Sequence, residues 1–256
     1  MPKARLLLTS TREMFMPNIA LNRIILALDN FNNREDIWDF MKKRGKFFSH
    51  VKLGLEFFCK YGPQGIKEFQ QEFATPLFLD LKLHDIPNTV SHAIRSLEGI
   101  NIEFLTIHLS GGKPMVKLAI EESRQYLPHC KILGVSYLTS LAHKDFEELW
   151  GIKEDQISNQ FQRIFQLALE SDIDGVVLSG MELPILSQCE ELYKKKIIKV
   201  TPGIRFKLSS SQDQQRVLTP QDALSKGADF LVMGRDWTQS DDAKFQQQVN
   251  QLKNCH

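Results

Sequence analysis

At 256 residues, with 25% charged and 42% hydrophobic side chains, the chain has the size and composition of one large globular domain. A formal net charge of +1 excludes the basic character of a nucleic-acid or anionic-membrane binder, and no apolar run approaches the roughly 20 residues that span a bilayer. Cys59, Cys130, Cys189 and Cys255 form no C-x-x-C pair, which argues against a zinc site or a disulfide framework and for free thiols in a reducing cytoplasm.

The chain opens with MPKARLLLTSTREMF, basic and Leu-containing but without a small-residue cleavage site, so residues 1–22 are read as an extension rather than a signal peptide. Residues 23–256 are read as a single domain. Within it, short β-branched and Leu-rich runs recur: RIILALD (23–29), FSHVKLG (48–54), PLFLDLKL (76–83) and FLTIHL (104–109). KILGVSYL (131–138), DGVVLSG (174–180), IIKVTPG (197–203) and DFLVMGR (229–235) follow. Their spacing is about 25 to 30 residues, with one longer gap before the sixth, which is the length of a strand, a helix and two loops. Intervening stretches such as REDIWDFMKKRGKFF and ISNQFQRIFQLALES carry apolar residues at helical spacing. About eight such βα units predict an α/β fold, a closed (β/α)8 TIM barrel. The absence of Gly-x-Gly-x-x-Gly after the first run disfavours a dinucleotide-binding sheet.

Charges sit where a barrel would place its chemistry. Asp29 ends the first run, Lys52 lies late in the second, Asp80 and Lys82 end the third, and Arg235 ends the eighth. Alternation along a strand puts Asp80 and Lys82 on one face and Leu79, Leu81 and Leu83 on the other, while Asp85 falls in the loop before Pro87. Carboxylates and ammonium groups so closely flanked by apolar residues are costly unless paired, and barrel catalysis draws on the C-terminal ends of several strands. His108, His84, Gly111 and Gly112 are read as structural, the histidines as hydrogen-bonding or surface groups and the glycines as permitting a bend. Lys194, Lys195 and Lys196 are read as a solvated helix end.

These residues resemble the orotidine 5′-phosphate decarboxylase family. The similarity runs from Arg23 onward and rests on ILALD, VKLG, the D-x-K-x-x-D-I-P-N-T segment at 80–89, HLSGG at 108–112, LTS at 138–140, TPGIR at 201–205 and MGR at 233–235. The resemblance implies that Lys82 donates the proton to C6 of the pyrimidine and that Asp80 lies beside the departing carboxylate. Lys52 and Asp85 would complete a Lys-Asp-Lys-Asp array, with Asp85 reaching the partner's site in a homodimer and Thr89, a substrate-binding residue, nearby. Asp29 and Lys52 would hold ribose hydroxyls, Thr139 the pyrimidine edge, and Arg205, Gln214, the Gly234 backbone and Arg235 the phosphate, with Gln212 or Gln215 as alternatives to Gln214. Phe206–Arg216, with three consecutive serines, has the composition of a closing loop. Substrate would be orotidine 5′-monophosphate, product uridine 5′-monophosphate, in the last step of de novo UMP synthesis in the cytoplasm. No cofactor, nucleic acid or membrane is implied.

The chemistry suits these residue types. Loss of CO2 from C6 leaves an electron pair on a ring carbon with no adjacent carbonyl sink, so a fixed cation is needed there. Lysine supplies that field and a proton. Two lysines and two carboxylates sum to zero, so each carboxylate has a cationic neighbour and no metal is called for. The nearest rivals are a magnesium-dependent 3-keto-6-phosphogulonate decarboxylase and a hexulose phosphate synthase, which share the D-x-K-x-x-D run. They typically carry a metal-binding glutamate at the second strand's end, where this chain has Lys52, and a lysine cannot ligate magnesium. A nucleotide-phosphate binder without catalysis is the rival of another class.

Overall fold

The eight apolar runs fold as eight parallel strands: β1 (Ile24–Ala27), β2 (His50–Gly54), β3 (Leu77–Leu83), β4 (Phe104–His108), β5 (Lys131–Val135), β6 (Gly175–Val177), β7 (Ile198–Thr201) and β8 (Phe230–Met233). In the computed structural model, which describes residues 21–206 and 217–253, they close in chain order, β8 pairing back onto β1. Parallel neighbours require crossovers, and helices supply them. These are α1 (Arg34–Arg44), α2 (Leu55–Glu72), α3 (Pro87–Arg95), α4 (Gly112–Tyr126), α5 (His143–Trp150), α6 (Ile157–Glu170), α7 (Leu183–Tyr193), α8 (Pro220–Ser225), α9 (Arg235–Thr238) and α10 (Asp242–Lys253). The molecule is a (β/α)8 barrel. The longer gap before the sixth run holds both α5 and α6.

Local signals set the helix ends. The Asn33 side chain accepts from the Asp36 amide at the start of α1, whose first turn carries Glu35 and Asp36 and whose last turn carries Lys42, Lys43 and Arg44. Pro87 stands in the first turn of α3, where a missing N–H costs nothing. Gly112, at φ +83°, makes the left-handed bend that opens α4. The lysine triplet follows α7 as expected, but Lys195 and Lys196 pair with Asp172 and Glu190. Among the described residues no helix is long and apolar enough to cross a membrane, and Cys59, Cys130 and Cys189 are free.

Alternation along the strands builds two apolar layers. Ile24, Leu26, Val51, Leu53, Leu77, Leu79, Leu105 and Ile107 point outward under the helices. Ile25, Ala27, Phe78, Phe104, Leu133, Val135, Val177, Val200 and Val232 fill the barrel interior. His50 closes the floor, stacked on Phe104 at 5.2 Å and edge-on to Phe230 at 5.0 Å. Burial pushes its imidazole below the ordinary value, with Glu103 opposing that and Lys131 adding to it.

Candidate active site at the barrel mouth

Two residues above Phe78 on the inner face of β3 comes Asp80, and two above His50 on β2 comes Lys52. The side chains of both are about nine-tenths buried. A charge at that depth persists only among partners, and the partners are present. Lys52 Nζ lies 2.9 Å from Asp29 Oδ2 and 3.5 Å from Asp80 Oδ2. Lys82 Nζ donates to both oxygens of Asp80, at 2.8 and 2.7 Å. Burial alone would raise the Asp80 carboxyl; Lys52 and Lys82 outweigh it and hold the group below the usual carboxylate range. For Lys52, burial opposes the charge, and Asp29 and Asp80 more than restore it. Gly54 makes room: a Cβ there would stand 3.1 Å from both Asp29 Oδ1 and Lys52 Nζ.

Regular alternation does not by itself deliver Lys82. Its backbone is left-handed, φ +49°, within an irregularity of the β3–β4 ladder between Leu79 and Leu83. That conformation costs a non-glycine residue about 1–2 kcal/mol. Hydrogen bonds to Thr106 on β4 accompany it: the Lys82 amide donates to Thr106 Oγ1 at 2.8 Å, and that hydroxyl donates to Asp80 Oδ1 at 2.9 Å. Above Thr106, His108 is half-buried, its ring 5.2 Å from that of His84. Burial, then His84 and Lys82, push the His108 imidazole down to about 4, so it is neutral at pH 7 beside the lysine. Among the described residues no hydrogen bond of the kind expected for His108 is seen, and its ring packs on that of His84 instead.

Asp29, Lys52, Asp80, Lys82, Thr139, Arg205, Gly234 and Arg235 line one cavity of about 390 Å³ at the C-terminal ends of the strands. Among the described residues two carboxylates face four cations there, a net charge of +2 suited to an anionic ligand. Phe78, Val135, Val177 and Val232 form its apolar lower wall. Arg205 is fixed from both sides. Its amide donates to Leu218 O at 3.0 Å beside the isolated bridge Ile204–Leu218, and the next amide, Phe206, donates to Asp236 Oδ2 at 2.9 Å. Tyr137, reached by Gln160 Nε2 at 2.8 Å and packed edge-on against Phe146 and Phe161, anchors the loop that carries Thr139.

Asp85 and Thr89 stand apart from this cavity. Both are exposed, Asp85 in the loop between β3 and α3 with its carboxylate accepting from the Ile86 amide at 2.7 Å, and Thr89 on the first turn of α3. One chain therefore assembles three members of the charged array, not four. Gln214, its alternatives Gln212 and Gln215, most of the expected loop 206–216 and residues 1–20 lie outside the described residues. Sequence reading passed over Thr106 in any chemical role, and Asn30, Tyr137, Pro202 and Gly203 as lining residues. TPGIR was the available signal for Pro202 and Gly203; nothing local marks Thr106.

Residues 22–247 match the model of a family described as Orotidine 5'-phosphate decarboxylase / HUMPS family. A protein of Wolbachia pipientis named orotidine 5'-phosphate decarboxylase is 38% identical over 223 residues, 86% of this chain and 93% of that protein. One of the same name from Ehrlichia chaffeensis is 40% identical over 222 residues, 86% of this chain and 92% of its own length. The crystal structure of orotidine 5'-phosphate decarboxylase from Lactobacillus acidophilus superposes with a TM-score of 0.71 at 29% identity, covering 90% of this chain and 98% of that one.

Proposed function

The chain belongs to the orotidine 5′-phosphate decarboxylase / HUMPS family, and from that premise we propose that it converts orotidine 5′-monophosphate to uridine 5′-monophosphate without a metal. The observation that carries this reading is the Asp80 carboxylate held between Lys52 and Lys82 in a cavity that also presents Arg205 and Arg235. This geometry and membership of the family support it.

The arginines and the Gly234 backbone take the phosphate, Asp29 and Lys52 the ribose, and Thr139 the pyrimidine edge. The orotate carboxylate then lies near Asp80, with C6 near Lys82. The C6–carboxylate bond breaks, CO2 leaves, and the bonding pair stays on C6 facing the Lys82 ammonium. Lys82 gives that carbon a proton and regains one from solvent. Asp80 has no proton to remove at C6, so its task is to aim Lys82. Phosphate binding far from the reacting bond supplies energy that holds the reactive geometry. Asp29 and Asp80 already face lysine ammonium groups, so their oxygens are engaged without a divalent ion. Asp85 completes the array from the partner of a cytoplasmic homodimer.

Loss of orotate absorbance on adding orotidine 5′-monophosphate to protein treated with EDTA tests the reaction. Turnover unchanged by the chelator is expected. Activity that vanishes with EDTA and returns with magnesium, or activity only on sugar phosphates, would overturn the reading. The phosphate grip has its own test. Arg235→Ala should weaken a ligand bearing 5′-phosphate by roughly ten- to a hundred-fold, the cost of about 1.5–3 kcal/mol for one charge-assisted hydrogen bond. The bare nucleoside should bind as before; equal losses for both would show that Arg235 does not meet the phosphate.

A further inference from the structure

We infer that Thr106 is a positioning residue for this reaction, its single hydroxyl fixing the Asp80 carboxylate and the left-handed backbone of Lys82 in one arrangement. The inference rests on the decarboxylase reading above.

The ladder between β3 and β4 pairs Leu79 with Leu105 and Leu83 with Ile107. Between those pairs β3 has Asp80, Leu81 and Lys82, while β4 has Thr106 alone. In a regular parallel ladder the amides of β3 would donate alternately to carbonyls of β4 and of β2. At this irregularity the Lys82 amide meets a side chain instead, Thr106 Oγ1 at 2.8 Å. A hydroxyl has one proton and two lone pairs. Having accepted from Lys82, it sends its proton to Asp80 Oδ1, 2.9 Å away. Neither direction can reverse, because an amide only donates and an ionised carboxylate only accepts.

Thr106 is wholly buried, so water is poorly placed to substitute for it. Its two bonds close a small circuit: Thr106 holds the Lys82 backbone and the Asp80 carboxylate, and Asp80 in turn holds the Lys82 ammonium at 2.7 Å. With the hydroxyl gone, the bulge loses the contact that satisfies its amide, and the carboxylate loses its fixed orientation. Lys82 then samples positions off the line to C6. A misplacement of about 1 Å at a reacting group costs on the order of a hundredfold in rate. Ground-state affinity, set by the ribose and phosphate contacts on other strands, is largely spared.

The test compares wild type, Thr106→Val, Thr106→Ser and Thr106→Cys, each checked for native circular dichroism and for binding of uridine 5′-monophosphate. Valine keeps the shape and removes both hydrogen bonds, so kcat should fall about 30- to 100-fold with KM and product affinity within about threefold. Serine keeps both bonds and should restore kcat to within about threefold of wild type. If the valine variant does not fold, cysteine, a weak donor of nearly serine's shape, takes its place with the same expected split. Near-wild-type kcat in the valine or cysteine variant overturns the inference. So does a serine variant as slow as valine, or a loss expressed wholly in KM. A wild-type protein with no turnover would instead sink the decarboxylase reading itself, so the two failures are distinguishable.

Discussion

Lys82→Ala is expected to lose at least about 10⁴-fold in kcat while still binding uridine 5′-monophosphate. One ammonium group performs two separate tasks. Removing a general acid costs roughly 10²–10⁴ in rate, and removing one preorganised electrostatic donor costs about 10²–10³. The lower bounds together give about 10⁴, or about 5 kcal/mol of barrier. Product has no carbanion to stabilise and no proton to receive, so its affinity should move little. Folding should survive because Asp80 keeps Lys52 at 3.5 Å and the Thr106 hydroxyl at 2.9 Å. Single-turnover measurements on Lys82→Ala, with product binding by calorimetry, check both halves. Turnover within tenfold of wild type in a folded variant would remove Lys82 from its assigned role.

Mixing two nearly inactive variants should restore activity if each site draws on two chains. Asp85 is exposed and lies outside its own chain's cavity, and its neighbour Ile86 is an apolar side chain left 66% exposed. Both fit a loop that reaches a second copy. Asp85→Asn alone should cost about 10²-fold or more, since it removes a charge from the array. In a dimer of one Lys82→Ala chain and one Asp85→Asn chain, one site carries both lesions. The other combines an intact Lys82 with an intact Asp85. Random exchange of equal amounts makes about half of the dimers mixed, so about a quarter of all sites should regain normal turnover, as two-fold symmetry requires. Native mass analysis establishes that subunits exchanged. Exchange without recovery would place Asp85 in the service of its own chain.

By itself the sequence determined the barrel and the strand-end charges that share its cavity. Eight apolar runs at βα spacing left few topologies, and period-two alternation already put Asp80 and Lys82 on one face of the third run. The strand-end charges Asp29, Lys52, Asp80, Lys82 and Arg235 do share one cavity, with Thr139, Arg205 and Gly234. Tertiary structure alone decided the left-handed backbone of Lys82 and the Thr106 hydroxyl that accompanies it. Arg205 likewise owes its position to Leu218 and to the Phe206–Asp236 contact. Periodicity states which face a side chain takes within its own strand. It says nothing of the register between strands, and the bulge at Lys82 is a relation to a threonine 24 residues away, set by how two strands pair around a closed barrel.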